Sequence, residues 1–178
     1  LGPSSLMEII AKDSRRTFLL LMLTSIAMIG VALFMEHYLQ LKPCILCYMQ
    51  RGAVILVGVL AAVGFAINPG KLRTYRFLIS SILVVAFAGA LLAIRQLYLQ
   101  SLPDDLVPNC MPDVDYLFAT LPFLEVIILA FTGDGNCAEI LWTFLGISIP
   151  GWVLVALTVI SLYCLFIIVK ADEIHSHK

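Results

Sequence analysis

Four long apolar runs, separated by short polar stretches, organise the chain. Thr17–Met35 carries no charge, Cys44–Ile67 only Arg51, Phe77–Ile94 none and Ile140–Val169 none. A helix needs about 20 apolar residues to cross a bilayer, and irregular chain or an open sheet would leave backbone groups unsatisfied in lipid. The pattern predicts an all-α membrane protein, a four-transmembrane-helix bundle forming one domain over residues 1–178. Pro150 marks the start of the fourth span, since proline suits the first helical turn. A fifth run, Tyr116–Thr132, is interrupted by Pro122 and holds Glu125. A crossing there would put Cys110 and Cys137 on opposite sides, so it reads as a short helix parallel to the membrane in the second outer loop, residues 95–149. Ser101–Pro112, rich in proline and aspartate, reads as loop, and Gly133–Asn136 as the turn that delivers Cys137. The first run is too long for a cleavable signal and is soon followed by a second span; Leu1–Ser5 reads as the remnant of a protease site.

Composition and charge sharpen this picture. Of 178 residues, 61% are hydrophobic, more than the roughly half expected of a soluble domain. Lys12, Arg15 and Arg16, then Lys71, Arg73 and Arg76, then Lys170 and Lys178, all fall on one side of a four-span layout. By the positive-inside tendency that side is the cytoplasm, with both termini. The other side holds Lys42 and a loop with one basic residue, Arg95, against seven acidic ones: Asp104, Asp105, Asp113, Asp115, Glu125, Asp134 and Glu139. The implied surroundings are a lipid bilayer, with nothing to suggest nucleic acid.

The candidate chemistry is sulfur chemistry. Cys44, Cys47, Cys110 and Cys137 fall on the outer side, where an oxidising compartment permits disulfides; Cys164 lies deep in the last span and reads as a small packing residue. Four cysteines admit three pairings. The favoured one is Cys44–Cys47 with Cys110–Cys137, because vicinal thiols close readily on each other. Pro43 favours a helix start, and at 3.6 residues per turn Cys44, Cys47 and Arg51 share one face, with Arg51 about 6 Å deeper than Cys47. Free amide N–H groups at that helix end, together with the guanidinium, would favour thiolate and prime the pair for exchange. The same guanidinium could stabilise negative charge on a quinone oxygen. Plainer readings stand beside these. The cysteines could bind zinc, although their spacing is unlike a zinc ribbon and no metal is expected. Cys110–Cys137 could simply staple the loop. Arg51 could snorkel to the interface. His37, His175 and His177 read as solvated.

Leu41–Arg51, with its Pro43-Cys44-Ile45-Leu46-Cys47 core, resembles the signature of the disulfide bond formation protein B (DsbB) family. Leu99–Pro103, Gly135–Glu139, Trp142–Gly146 and Pro150–Trp152 resemble the entry to that family's second periplasmic loop and the approach to its fourth helix. The resemblance runs from about Leu41 to Trp152 and implies an enzyme of the bacterial inner membrane, a thiol:quinone oxidoreductase. Such an enzyme reoxidises a DsbA-like periplasmic thioredoxin-fold protein and passes the electrons to membrane quinone, ubiquinone or menaquinone. This route is itself the familiar instance of a compartment kept oxidising kinetically. Carried over, DsbA attacks Cys110, Cys137 is released and exchanges with Cys44, Cys47 becomes the thiolate facing the quinone, and Arg51 binds and polarises it. Certain members have a carboxylate just before the arginine and a histidine at the position matching Gln96. Here Gln50 and Gln96 stand, so no proton-relay role is carried over to them. The alternatives are a non-enzymatic four-span protein with structural disulfides, and a quinone reductase resembling the vitamin K epoxide reductase family. The early CxxC and later loop cysteines fit DsbB better.

Overall fold

The computed structural model describes the backbone of residues 3–176 and the side chains of residues 14–169. The reading of Leu1–Ser5, and the side chains of Lys12, Lys170, His175, His177 and Lys178, lie outside the described backbone or side chains. The helices are α1 (Pro3–His37), α2 (Ile45–Ile67), α3 (Leu72–Gln100), α4 (Val114–Thr120), α5 (Phe123–Thr132) and α6 (Ile149–Ser176). Among the described residues, four stretches are long and apolar enough to cross a membrane: Ser14–His37, Ile45–Ile67, Leu72–Gln100 and Ile149–Val169. These are the four expected spans, and Pro150 does fall in the first turn of the last.

The helix ends follow from local chemistry. Helix α2 stops at Asn68, whose left-handed backbone (φ 45°) lets its N–H return to Gly64 O at 3.0 Å, the common way to satisfy a last-turn carbonyl. Helix α3 continues beyond Ile94 to Gln100, because nothing from Arg95 onward breaks the helix before Pro103. Arg95 and Gln96 therefore belong to a helix and not to the loop. The Tyr116–Thr132 run is two helices, α4 and α5, parted at Leu121-Pro122. At ten residues, α5 rises only about 15 Å, half the thickness of a hydrocarbon core.

One element was not foreseen. Thr143–Phe144 (β1) and Ile147–Ser148 (β2) pair antiparallel, with Thr143 opposite Ser148 and Phe144 opposite Ile147. Leu145 (φ 53°) and Gly146 (φ 78°) form the two-residue turn, the handedness that tight hairpins require. Trp152 on α6 donates its indole N–H to Phe144 O at 3.1 Å, and Phe144 stacks on Trp142 with centroids 6.0 Å apart. The aromatic residues of this stretch thus pin the loop to the head of α6.

Helices α1, α2, α3 and α6 pack in chain order, and Thr17 Oγ1 lies 3.4 Å from Tyr163 Oη across α1 and α6. The main core gathers Phe18, Val57, Ile79, Ile82, Leu157 and Cys164, all fully buried; Cys164 is the packing residue expected. A second cluster at the loop end joins Cys44, Leu46, Leu99, Leu117, Val126 and Cys137. Outward residues such as Phe77, Val84 and Phe166 are large, apolar and exposed, as a lipid-facing surface requires. At the far end Arg15 lies over the Phe65 ring, 4.8 Å from its centroid, so the basic start of α1 meets the end of α2.

Gly64 sits where α2 touches α1: a Cβ there would come within 2.5 Å of the buried Phe18 ring. Gly64→Ala should destabilise the bundle by about 1–3 kcal/mol through overpacking, read as a lower melting temperature in detergent. Gly30→Ala, where a Cβ meets nothing within 4 Å, should leave it unchanged or higher.

Candidate functional site

The site is built at the junction of the loop-end cluster and α2. Cys44 is the residue preceding α2, in extended conformation (φ −78°, ψ 174°); Pro43 ahead of it disfavours helix for neither but fixes the entry of the chain. Cys47 lies in the first turn. Their sulfurs are 3.3 Å apart, and all five cysteines stand as free thiols. Cys44 is buried, Cys47 half-buried, Cys137 buried and Cys110 exposed.

The loop reaches Cys44 through a compact turn. Asp134, a carboxylate buried to 2% exposure, accepts from the backbone N–H of Met111 and of Asn136, each at 3.0 Å. Asn136 Nδ2 donates to Met111 O at 2.8 Å, and Gly135 N donates to Asn109 O at 3.2 Å. The Cys110 strand is thereby sewn to the Gly135–Ala138 turn. A Cβ on Gly135 would collide with Pro108 O and lie 3.1 Å from Cys110 Sγ, so only glycine permits this approach. Arg95 on α3 donates to Phe131 O at 3.2 Å, holding the end of α5. The turn presents Cys137 to Cys44: contact with the Cys137 thiol is the main cause that pushes Cys44 up to about 12 from an ordinary 9.0. The neighbouring Cys47 thiol opposes this, and burial adds to it.

That corrects one expectation. The helix end and the guanidinium were expected to favour thiolate at the Cys44/Cys47 pair, but at Cys44 the dipole of a helix end is worth only about 0.3–1 kcal/mol, and a second thiol plus burial outweighs it. In the reduced protein Cys44 keeps its proton. Because its folded value is raised, the stability it contributes is fully present below pH 9.0 and is lost as pH rises towards about 12.

Arg51 is one turn below Cys47, as the spacing required, but its guanidinium has a partner that the sequence reading did not name. Nη1 donates to Glu36 Oε2 on α1 at 2.6 Å, with both side chains largely buried. Tyr48 donates its hydroxyl to Glu36 Oε1 at 3.4 Å, and its ring lies 5.4 Å from the guanidinium carbon. At 16% side-chain exposure, Arg51 does not snorkel to water. Gln50 and Gln96, each 3% exposed, form a buried pair beside the thiols: Gln50 Nε2 donates to Gln96 Oε1 at 2.8 Å. Arg51 and Gln50 were visible as polar residues within an apolar run, but their partners Glu36 and Gln96 lie on other helices, just beyond the ends of the apolar runs there.

Cys47, Arg51, Glu36 and Gln50 line an apolar cleft of roughly 100 Å³ between α1, α2 and α6, with Met28 and Val153 also in its lining. Among the described residues no group of three or more histidine, cysteine or acidic side chains is placed to hold a metal. The four cysteines are instead graded in access, from exposed Cys110 through buried Cys137 and Cys44 to Cys47 at the cleft.

Comparison with known proteins identifies the family. The family profile described as "Disulfide bond formation protein DsbB" matches residues 14–167. The chain belongs to the DsbB family. It is 41% identical over 159 residues to Disulfide bond formation protein B of Marinobacter nauticus, covering 88% of this chain and 93% of the relative. It is 40% identical over 158 residues to that of Stutzerimonas stutzeri, covering 89% and 96%, and 43% identical over 145 residues to that of Hahella chejuensis, covering 80% and 86%. As a DsbB-family protein it is a multi-pass bacterial membrane protein and a disulfide-forming oxidoreductase.

Two measurements check the site. In fully reduced protein, Cys110 should be alkylated before Cys44, with the Cys44 rate still climbing at pH 10.5 as its thiol deprotonates; a plateau by pH 9 would contradict the raised value. Asp134→Ala should leave two N–H groups without their acceptor and lower the melting temperature, at a cost of about 1–3 kcal/mol, while exposing Cys137 to alkylation.

Proposed function

We propose that the chain is a thiol:quinone oxidoreductase of the bacterial inner membrane, with both termini cytoplasmic and the cysteine end periplasmic. Its substrate on the soluble side is a DsbA-like thioredoxin-fold protein, and its acceptor on the lipid side is ubiquinone or menaquinone. The single observation that carries this reading is the series of sulfurs from exposed Cys110 to Cys47 on an apolar cleft. The basic residues Arg15, Arg16, Lys71, Arg73 and Arg76 at the opposite end support the orientation.

The resting form in this reading holds Cys44–Cys47 and Cys110–Cys137 disulfides. A thiolate of the reduced carrier attacks Cys110 Sγ; the Cys110–Cys137 bond breaks, and Cys137 leaves as thiolate. Cys137, already packed on Cys44, attacks Cys44 Sγ, and the Cys44–Cys47 bond breaks with the electron pair on Cys47. The carrier's second thiolate then attacks the carrier sulfur bound to Cys110 and releases oxidised carrier. Cys110 thiolate attacks Cys137, restores the loop disulfide and frees Cys44. The net result is two electrons on the Cys44/Cys47 pair. The Cys44–Cys47 bond re-forms when both thiols give up their protons and two electrons; quinone held by Arg51 beside Cys47 would supply that two-electron oxidant.

The residues around the cleft fit a flat, oily carbonyl compound. Met28 and Val153 offer apolar walls, Cys47 faces inward, and Arg51 has guanidinium N–H donors beyond the one given to Glu36. Arg51 would bind and polarise a quinone oxygen, with Glu36 fixing where the guanidinium sits.

Purified protein in detergent, supplied with reduced DsbA-type carrier and a soluble ubiquinone analogue, should reduce the quinone catalytically. Cys44→Ser or Cys47→Ser should abolish turnover; normal turnover in either would remove that sulfur from the route. Arg51→Ala should raise the KM for quinone at least tenfold, from loss of a charged hydrogen bond, with little change in the KM for the carrier. Permanently oxidised cysteines without turnover would favour inert structural disulfides.

A further inference from the structure

The buried Gln50–Gln96 pair does more than fill space between α2 and α3. Gln96 Nε2 lies 3.4 Å from Cys44 Sγ and 3.3 Å from Cys47 Sγ. A side-chain amide carries two N–H groups, so one nitrogen can serve both sulfurs at once. Gln96 Oε1 accepts from Gln50 at 2.8 Å, which fixes the amide with its nitrogen towards the thiols. The Cys47 S–H can reach the same oxygen at 3.6 Å. Both glutamines are buried, where a hydrogen bond has no competing water and an unpaired amide is costly.

We infer that Gln96, oriented by Gln50, is a catalytic hydrogen-bonding group that stabilises the reduced form of the Cys44/Cys47 pair and so makes its disulfide the more oxidising one. The two redox forms offer the amide different partners. A thiol donates to Oε1, and a thiolate accepts strongly from Nε2. A disulfide has no proton to give and is a poor acceptor, so the amide loses its partners when the pair is oxidised. Stabilising the reduced form raises the reduction potential of a disulfide, which favours electron flow from Cys137 into the pair. The arginine is not placed to do this alone, since its guanidinium is engaged by Glu36. Gln50 acts through Gln96 and is a positioning residue.

This inference rests on the redox reading of Cys44 and Cys47, and the test keeps the two apart. The full-length protein in detergent, without quinone, is equilibrated with mixtures of reduced and oxidised glutathione. The reaction is Cys44–Cys47 disulfide plus two glutathione thiols giving the dithiol plus glutathione disulfide, read by differential alkylation of the peptide carrying both cysteines. Gln96→Met keeps length and volume but removes both donors. It should make the disulfide about tenfold harder to reduce, as expected for loss of a hydrogen bond to a charged or polarisable partner, equivalent to about 30 mV for a two-electron couple. Gln50→Met, which touches no sulfur, should shift the same equilibrium in the same direction by about threefold, and it carries the test if Gln96→Met does not fold. Gln100→Met is the control: that amide, one turn further along α3, bonds Ser148 at 2.8 Å, and its loss should leave the midpoint unchanged. Midpoints within twofold of wild type in both Gln96→Met and Gln50→Met would overturn the inference, as would an equal shift in Gln100→Met. A wild-type pair that glutathione never reduces would overturn the redox reading itself, and this inference with it.

Discussion

The contact between Cys137 and Cys44 joins two halves of the molecule that the sequence keeps far apart. One thiol belongs to a loop stitched by hydrogen bonds, the other to the entry of a membrane-spanning helix. Their approach places Cys44, Cys47 and Cys137 within one apolar cluster and raises Cys44 to about 12. Everything chemical in the site depends on that approach. Without it Cys110 and Cys137 would be a loop staple, and Cys44 and Cys47 a helix-end pair with no source of electrons.

The approach is held by polar atoms inside an apolar setting. Asp134 and Asn136 bind the Cys110 strand to the Cys137 turn, so the loop keeps its shape when its disulfide is open. This matters because a relay by sulfur exchange must open each bond in turn. The hairpin at Thr143–Ser148, pinned by Trp152, closes the other side of the loop against α6. On the membrane side the cleft stays apolar except where Arg51, Glu36, Gln50 and Lys42 line it. Water-exposed thiol chemistry and oil-soluble redox chemistry thus meet across one turn of α2.

Much of the fold was legible because lipid imposes a simple rule. Apolar runs of span length appear directly in the sequence, and Pro122 and Pro150 mark a break and a start as their missing N–H groups dictate. Cys47 and Arg51 share a face of α2 because helical periodicity fixes angles, with Cys44 just ahead of the helix. What could not be read were partners set by packing between helices. Glu36 lies just past the first charge-free run, yet it belongs to the last turn of α1 and pairs with Arg51 on the neighbouring α2. Gln96 looked like a loop residue, yet α3 runs on and carries it to the thiols. The hairpin was hidden because Leu145 is not a residue that advertises a left-handed turn. The thiolate expectation failed for the same reason: a local dipole was legible, while the distant Cys137 that outweighs it was not.

The most direct test of the account is to ask whether Cys137 can bond to Cys44. Protein carrying Cys47→Ala and Cys110→Ala leaves those two thiols as the reactive pair at the loop end. On mild oxidation in detergent, peptide mapping should find a Cys44–Cys137 disulfide in most molecules. If both thiols instead remain open to alkylation after oxidation, the loop and the helix do not exchange electrons by this contact, and the relay described here is wrong.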